Sequence, residues 1–284
     1  SEDFALVEEQ ARRLGAMSLE PPWQVMEHPD YAQHSLAFRR QADALVPPDM
    51  IAFLNGYAAI GREMAEKAIG YVVQQLRTVP QPLGIDDQRL TYNESEIRWL
   101  APVPRPPMIR DGILLLDHYK VGMERLFKIT NEALIPEAAR KMPIYWKPSR
   151  AAVAGHKQPI RWPSYSEKLD YEFELGLYIG KRGKNILKER AHEHIAGYTV
   201  FNDLGLRDTQ PAEMSLRLGP TKAKDFETSK VFGPCLVTAD ELTSVDNLRM
   251  TTKVNGETWF EGRLGDRKST RLNSSHVSES RMPS

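Results

Sequence analysis

Cysteine is nearly absent. The single residue, Cys235, rules out an internal disulfide, and in the run Val231-Phe-Gly-Pro-Cys-Leu-Val237 it reads as a small buried apolar residue rather than a nucleophile. Net charge is missing too, because 38 Lys and Arg balance 38 Asp and Glu. The chain therefore carries no electrostatic footprint for nucleic acid or an acidic membrane. No apolar run approaches the ~20 residues of a membrane span. The opening Ser1-Glu-Asp-Phe-Ala5 has neither a basic start nor an apolar core, so no secretory signal is expected there. It also lacks Met, which leaves room for a start upstream. The 284 residues suffice for one large domain or one domain with an appendage. These absences point to a cytoplasmic enzyme of bacterial type, with neither nucleic acid nor membrane as partner.

Apolar content also fails at the end. Residues 266–284 are rich in Ser and Arg and have no period, the composition of a disordered tail. Asp266–His276 resembles the conceptual translation of a sequencing-library adapter, and Ser280–Ser284 resembles its continuation after an index. The segment is therefore set apart from fold reasoning as a foreign read-through.

What remains divides into a mainly helical region, 1–107, and a strand-rich region, 108–265. Residues 1–17 and 48–78 read as helices. Pro48 suits an early helical position, and Ile51, Leu54, Ala58, Met64, Ala68 and Val72 form an approximate apolar stripe. Glu94–Leu100 reads as a strand. Ala101-Pro-Val-Pro-Arg-Pro-Pro107 cannot form a regular central element, because proline lacks the donor and fixes φ. Residues 109–127 read as a helix, with Asp111 near its start, where an acid suits the dipole. Lys253–Gly265 reads as a hairpin with Asn255-Gly256 at its turn.

The most informative stretch is Leu169–Ile179. Leu169, Tyr171, Phe173, Leu175, Leu177 and Ile179 share one face of a strand; Asp170, Glu172 and Glu174 share the other. The acids could simply face water. Alternatively, two carboxylates at i and i+2, about 7 Å apart at their backbones, can lean onto one ion. A third acid closes the later run Gly197-Tyr-Thr-Val-Phe-Asn-Asp203. Three oxygen donors of this kind would suit Mg²⁺ or Ca²⁺. Without a cation they repel one another. His192-Glu-His194 lacks the spacing of a helical zinc motif and reads as a charged loop or helix end. Gly180-Lys-Arg-Gly183 lacks the spacing of a phosphate loop and reads as a basic hairpin turn.

The set Glu172-Phe-Glu174, then Gly197–Asp203 with Arg207-Asp208-Thr-Gln210, then Gly219-Pro-Thr-Lys-Ala-Lys224-Asp-Phe226, resembles the fumarylacetoacetate hydrolase family in order and spacing over about 143–265. The resemblance implies an α+β fold, a mainly β mixed roll with an N-terminal helical segment. It implies Mg²⁺, or Ca²⁺ or Mn²⁺, held by Glu172, Glu174 and Asp203. Asp111 is either a fourth metal ligand or an acid that starts a helix. His118, seven residues on, matches the family's histidine base acting on a metal-oriented water. Val121 stands where many smaller members place a Glu to orient that histidine, and Glu124 is a poor helical neighbour for the role. Arg207, Gln210 and Lys224 match the family's substrate-side groups, which would stabilise enolate charge. Lys147 matches a family loop and could bind carboxylate or simply be solvated. Asp208 reads as a partner of Arg207 or a turn cap. Family members continue with further strands beyond 265, which the tail here appears in place of.

The implied activity is metal-dependent hydrolysis of a C–C bond in a small β-diketo or oxo-acid of the fumarylacetoacetate or acylpyruvate kind, by a homodimer. Decarboxylation, tautomerisation or isomerisation, and 2-keto-3-deoxy-acid dehydration are alternatives on the same fold. A rival of another class is an inactive, metal-binding truncated fragment.

Overall fold

The apolar period of residues 48–78 resolves into two helices, α1 (Met50–Gly56) and α2 (Arg62–Gln75). Met64 is the fully buried position of α2. Its outer face carries Arg62–Glu66 and Glu63–Lys67 pairs at i,i+4, worth a few tenths of a kcal/mol each. The computed structural model describes residues 40, 42–56, 61–84, 87, 89–113, 120, 123–124, 128–131, 134, 144–216, 219–242 and 244–264. The expected helix at 1–17, His118 and the tail 266–284 lie outside the described residues. The chain divides into two units, Ser1–Arg98 and Trp99–Ser284.

Glu94–Leu100 does not form the expected strand. Glu94–Glu96 is a single 3₁₀ turn. The Glu96 carboxylate accepts the Asn93 N–H at 2.8 Å and both Arg89 NH groups at 2.8 and 2.9 Å. Such a local side-chain ring competes with strand pairing.

The second unit is built on strands. β1 (Asp111–Ile113) pairs antiparallel with β2 (Ile144–Trp146). This corrects the helix expected to begin near Asp111: Gly112 weakens a helix there, and β-branched Ile113 favours extended backbone once β2 supplies partners. The reading of Asp111 as a helix-starting acid goes with it. β3 (Val153–Ala154), β5 (Phe173–Ile179), β6 (Ile195–Asp203), β8 (Lys230–Phe232) and β9 (Val237–Thr238) form the main sheet, in the order β3-β8-β6-β5 with β9 beside β6. β3 runs parallel to β8; the other pairs are antiparallel. β4 (Leu169–Asp170) pairs with β7 (Gly205–Leu206). β10 (Arg249–Val254) and β11 (Glu257–Arg263) form the expected hairpin. Both turn residues take positive φ, Asn255 at 51° and Gly256 at 86°, as a two-residue primed turn requires. Two short helices, α3 (Gln210–Ser215) and α4 (Thr221–Lys224), follow β7.

The Leu169–Ile179 alternation is thus split between two ladders, and both faces of β5 are covered. Leu175 packs with Met250 and Leu264 beneath the hairpin, while Glu174 on the opposite face is 2% exposed. A second apolar cluster joins Leu204, Leu206, Ala223 and Phe226. Cys235 is exposed, contrary to the expected buried role. What the sheet holds is its backbone: the Cys235 carbonyl accepts from Thr199 Oγ1 at 2.7 Å, leaving the thiol outside. Among the described residues no helix is long and apolar enough to cross a membrane.

Candidate active site

The pleat of the main sheet sets the acids. Glu174 lies opposite Phe201 across β5 and β6, and Asp203 lies opposite Lys230 across β6 and β8. Residues two apart on β6 share a face, so Glu174, Phe201, Asp203 and Lys230 rise from one side. Phe201 stacks on Phe232 at 4.3 Å between ring centroids, which floors that side with aromatic surface. β1 brings Asp111 onto it. Asp111, Glu174 and Asp203 each present a carboxylate oxygen within 4.8 Å of the other two, and all three residues are buried. Among the described residues this is the group of three or more His, Cys, Asp or Glu donors close enough for one cation. His192 and His194 sit in the 3₁₀ segment Lys188–His194, where His194 Nδ1 is bonded to the Lys181 carbonyl at 2.9 Å.

Glu172 stands beside this trio on the side of the cations. Its Oε1 pairs with Lys224 Nζ at 2.7 Å and with an Arg207 NH group at 2.6 Å. Burial alone would push its carboxyl up, but the charges of Lys224 and Arg207 outweigh that and hold it below its ordinary value. Lys224, 4% exposed at its side chain, also donates to Asp203 Oδ2 at 2.8 Å and to the Asp203 carbonyl at 3.1 Å. Gly205 leaves the room this needs, since a Cβ there would meet Lys224 Cε at 3.1 Å and Nζ at 3.2 Å. Arg207 follows β7, whose pairing with β4 aims it at Asp170 Oδ2 (2.8 Å) and Gln210 Oε1 (3.0 Å). Burial draws Arg207 down; Glu172 and Asp170 more than offset it and raise its affinity for the proton. Glu213 of α3 accepts the N–H groups of Lys222 and Ala223 at 2.5 and 2.7 Å, which ties α3 to the start of α4 and so relates Gln210 to Lys224.

The sequence pattern did not single out Lys230. It is wholly buried. Its ammonium pairs with Asp203 Oδ1, lies 3.9 Å from Asp111 Oδ2 and sits 4.7 Å over the Trp146 ring. Burial pushes the amine down to about 8 against the pull of Asp111, Glu172 and Glu174. A lysine inside Ser229-Lys-Val-Phe232 looks like any strand-end charge until the register places it against Asp203. Lys147, by contrast, is exposed just past β2.

Asp208 does not pair with Arg207. It accepts from Ser166 Oγ at 2.6 Å and the Glu167 N–H at 2.8 Å, bonds that lower its carboxyl to about 2. This latch holds the segment carrying Arg207 against the loop before β4. A depressed carboxyl stabilises the fold above its unfolded pKa of about 3.9 and loses that contribution as pH falls through about 2. Titration of Asp208 by carboxyl NMR should therefore show a midpoint near 2, and Ser166→Ala should move it up toward the free value. A midpoint near 3.9 in the unsubstituted chain would show that the latch does not form.

The mixed sheet with its flanking hairpin and short helices, and the buried acids on one face, define an α+β protein with a carboxylate-lined centre suited to a hard cation. Residues 123–269 match the family described as fumarylacetoacetate (FAA) hydrolase C-terminal, and the chain belongs to that family. It is 32% identical over 176 residues to an oxaloacetate tautomerase of Bacillus subtilis (strain 168), covering 62% of this chain and 54% of that one. It is 36% identical over 215 residues to a mitochondrial oxaloacetate tautomerase of Bos taurus, covering 75% and 58%. The chain thus spans about half the length of the curated relatives it matches. Its fold is similar to that of a putative HpcE protein from Mycobacterium smegmatis, with a TM-score of 0.52, 25% identity, and coverage of 77% of this chain and 65% of that one.

Proposed function

We propose that the chain holds a divalent cation, with Mg²⁺ as the first candidate, at Asp111, Glu174 and Asp203, and that it interconverts the keto and enol forms of a small dicarboxylic oxo-acid of the oxaloacetate kind. The observation that carries this is the convergence of three buried carboxylates within 4.8 Å. The charge balance supports it. Asp111, Asp170, Glu172, Glu174 and Asp203 face Arg207, Lys224 and Lys230, an excess of two negative charges when all are ionised. One divalent ion neutralises that excess.

Such an ion supplies Lewis-acid polarisation of adjacent keto and carboxylate oxygens. The chain's own groups do the rest. Arg207, a third exposed at its side chain, and Gln210 beside it offer donors to developing enolate charge. Lys224, buried among the acids, holds Glu172 and Asp203 in place. His118 is the candidate to carry the proton. The tautomerase reading takes precedence over C–C hydrolysis because the 32% and 36% identical relatives carry that activity in their names.

The purified chain should accelerate loss of enol-oxaloacetate in Mg²⁺, and EDTA should abolish the effect. Outer-sphere partners of metal ligands alone are worth about 10–100-fold in affinity. Glu174→Gln should therefore weaken Mg²⁺ binding at least about tenfold by calorimetry. An EDTA-insensitive rate, or unchanged affinity in Glu174→Gln, would remove the metal from the reading. Cleavage of an acylpyruvate with no effect on oxaloacetate would replace tautomerisation by hydrolysis.

A further inference from the structure

We infer that Lys230 is an internal counter-cation of the acid cluster, one that holds Asp203 and Asp111 together when no metal is bound and lowers the affinity of the site for a divalent ion. The inference rests on the metal reading of Asp111, Glu174 and Asp203 and goes beyond it.

Three features of Lys230 lead here. Its side chain has no exposure, so its charge is compensated by protein and not by water. The compensation comes from two members of the trio: it pairs with Asp203 Oδ1 and lies 3.9 Å from Asp111 Oδ2. The Trp146 ring at 4.7 Å fixes the ammonium from the other side by cation–π attraction. Three carboxylates this close repel strongly in a buried site, and an ammonium brought in by strand register at β8 relieves part of that repulsion while the site holds no metal. The same ammonium then acts on an arriving cation in two ways. It occupies a lone pair of Asp203, and its charge repels the ion at a range of a few ångströms, where screening by salt is slight. Lys224 is differently placed, since it divides its bonds between Asp203 and Glu172 and makes none with Asp111 among those described.

The test is Mn²⁺ binding to the full 284-residue chain, followed by calorimetry and by the electron paramagnetic resonance of the free ion. Lys230→Met should bind Mn²⁺ at least about tenfold more tightly than the unsubstituted chain, by the loss of one nearby positive charge. Its metal-free form should melt at a lower temperature, and Mn²⁺ should restore more of that loss than it adds to the unsubstituted chain. A defect in folding alone would weaken binding, so a gain in affinity separates the two. Equal or weaker Mn²⁺ affinity in a folded Lys230→Met would overturn the inference.

A second measurement does not depend on the variant folding. In crystals of the unsubstituted chain soaked with Mn²⁺, Lys230 should have given up its contact with Asp203 Oδ1. An ion seated on Glu174 and Asp203 with that contact intact would overturn the inference while leaving the metal reading standing. Absence of Mn²⁺ binding in both the unsubstituted chain and Lys230→Met would overturn the metal reading, and the inference with it.

Discussion

Asp203→Ala should destabilise the chain by about 3–5 kcal/mol, the range for removing one partner of a buried ion pair. Asp203 is 2% exposed, and its two carboxylate oxygens serve two different lysines, Lys224 through Oδ2 and Lys230 through Oδ1. Alanine removes a carboxylate from both amines, leaving Lys230 with the more distant Asp111 contact and Lys224 with Glu172 and the main-chain carbonyl at position 203. Both amines are shut away from water in the fold, with side-chain exposures of 4% for Lys224 and 0% for Lys230. The loss is expected to be larger than that of a surface pair, whose median worth is ~0–1 kcal/mol. Urea denaturation of the metal-free chain measures it. The double variant Asp203→Ala with Lys230→Met should recover part of the loss, because one uncompensated charge is then gone. A cost below about 1 kcal/mol for Asp203→Ala would mean that water reaches these amines. The same variant should abolish tight Mg²⁺ binding.

His118→Ala should lower the rate of the proposed reaction by about 10²–10⁴, the usual contribution of a positioned general base. The proton that moves in keto–enol interconversion sits on a carbon, and a carboxylate already committed to a cation is a poor acceptor for it. An imidazole near neutral pKa is matched to the task. Metal affinity should change little, because the proposed cation donors are Asp111, Glu174 and Asp203, a trio that among the described residues includes no histidine. This split between rate and affinity distinguishes a base from a ligand or from a residue that only supports the fold. Full activity in His118→Ala would place the base elsewhere, and a tenfold or greater loss of Mg²⁺ affinity would make His118 a ligand instead.

Some of this molecule is legible in residue order alone. Glu174 and the strand-ending Asp203 are legible as candidates for a carboxylate site, because an acid on the face of a strand opposite its apolar residues stands out in the alternation. The Asn255-Gly256 hairpin is legible for a similar reason: positive φ at both residues is a local property, and the structure shows it at 51° and 86°. Alternation alone says only that the second half is β-rich; the α+β, mainly β roll follows from the family motifs spread over that half.

Other features belong to the tertiary structure. Asp111 reads as a helix-starting acid by its local context, yet it is a strand residue because β2, more than thirty residues later, supplies the ladder. Glu172 and Glu174 are equivalent in the pattern and different in space. The strand breaks between β4 and β5, so Glu174 enters the trio while Glu172 turns to Lys224 and Arg207. Cys235 sits in an apolar run but is exposed, because the sheet holds its carbonyl and not its thiol. Lys230 becomes part of the centre only through the pairing of β6 with β8. Sequence determines what each short segment can be, because propensity, pleat and turn geometry act over a few residues. Which charges meet, and which are shut away from water, is decided by register between strands distant in the chain, and no local pattern encodes that.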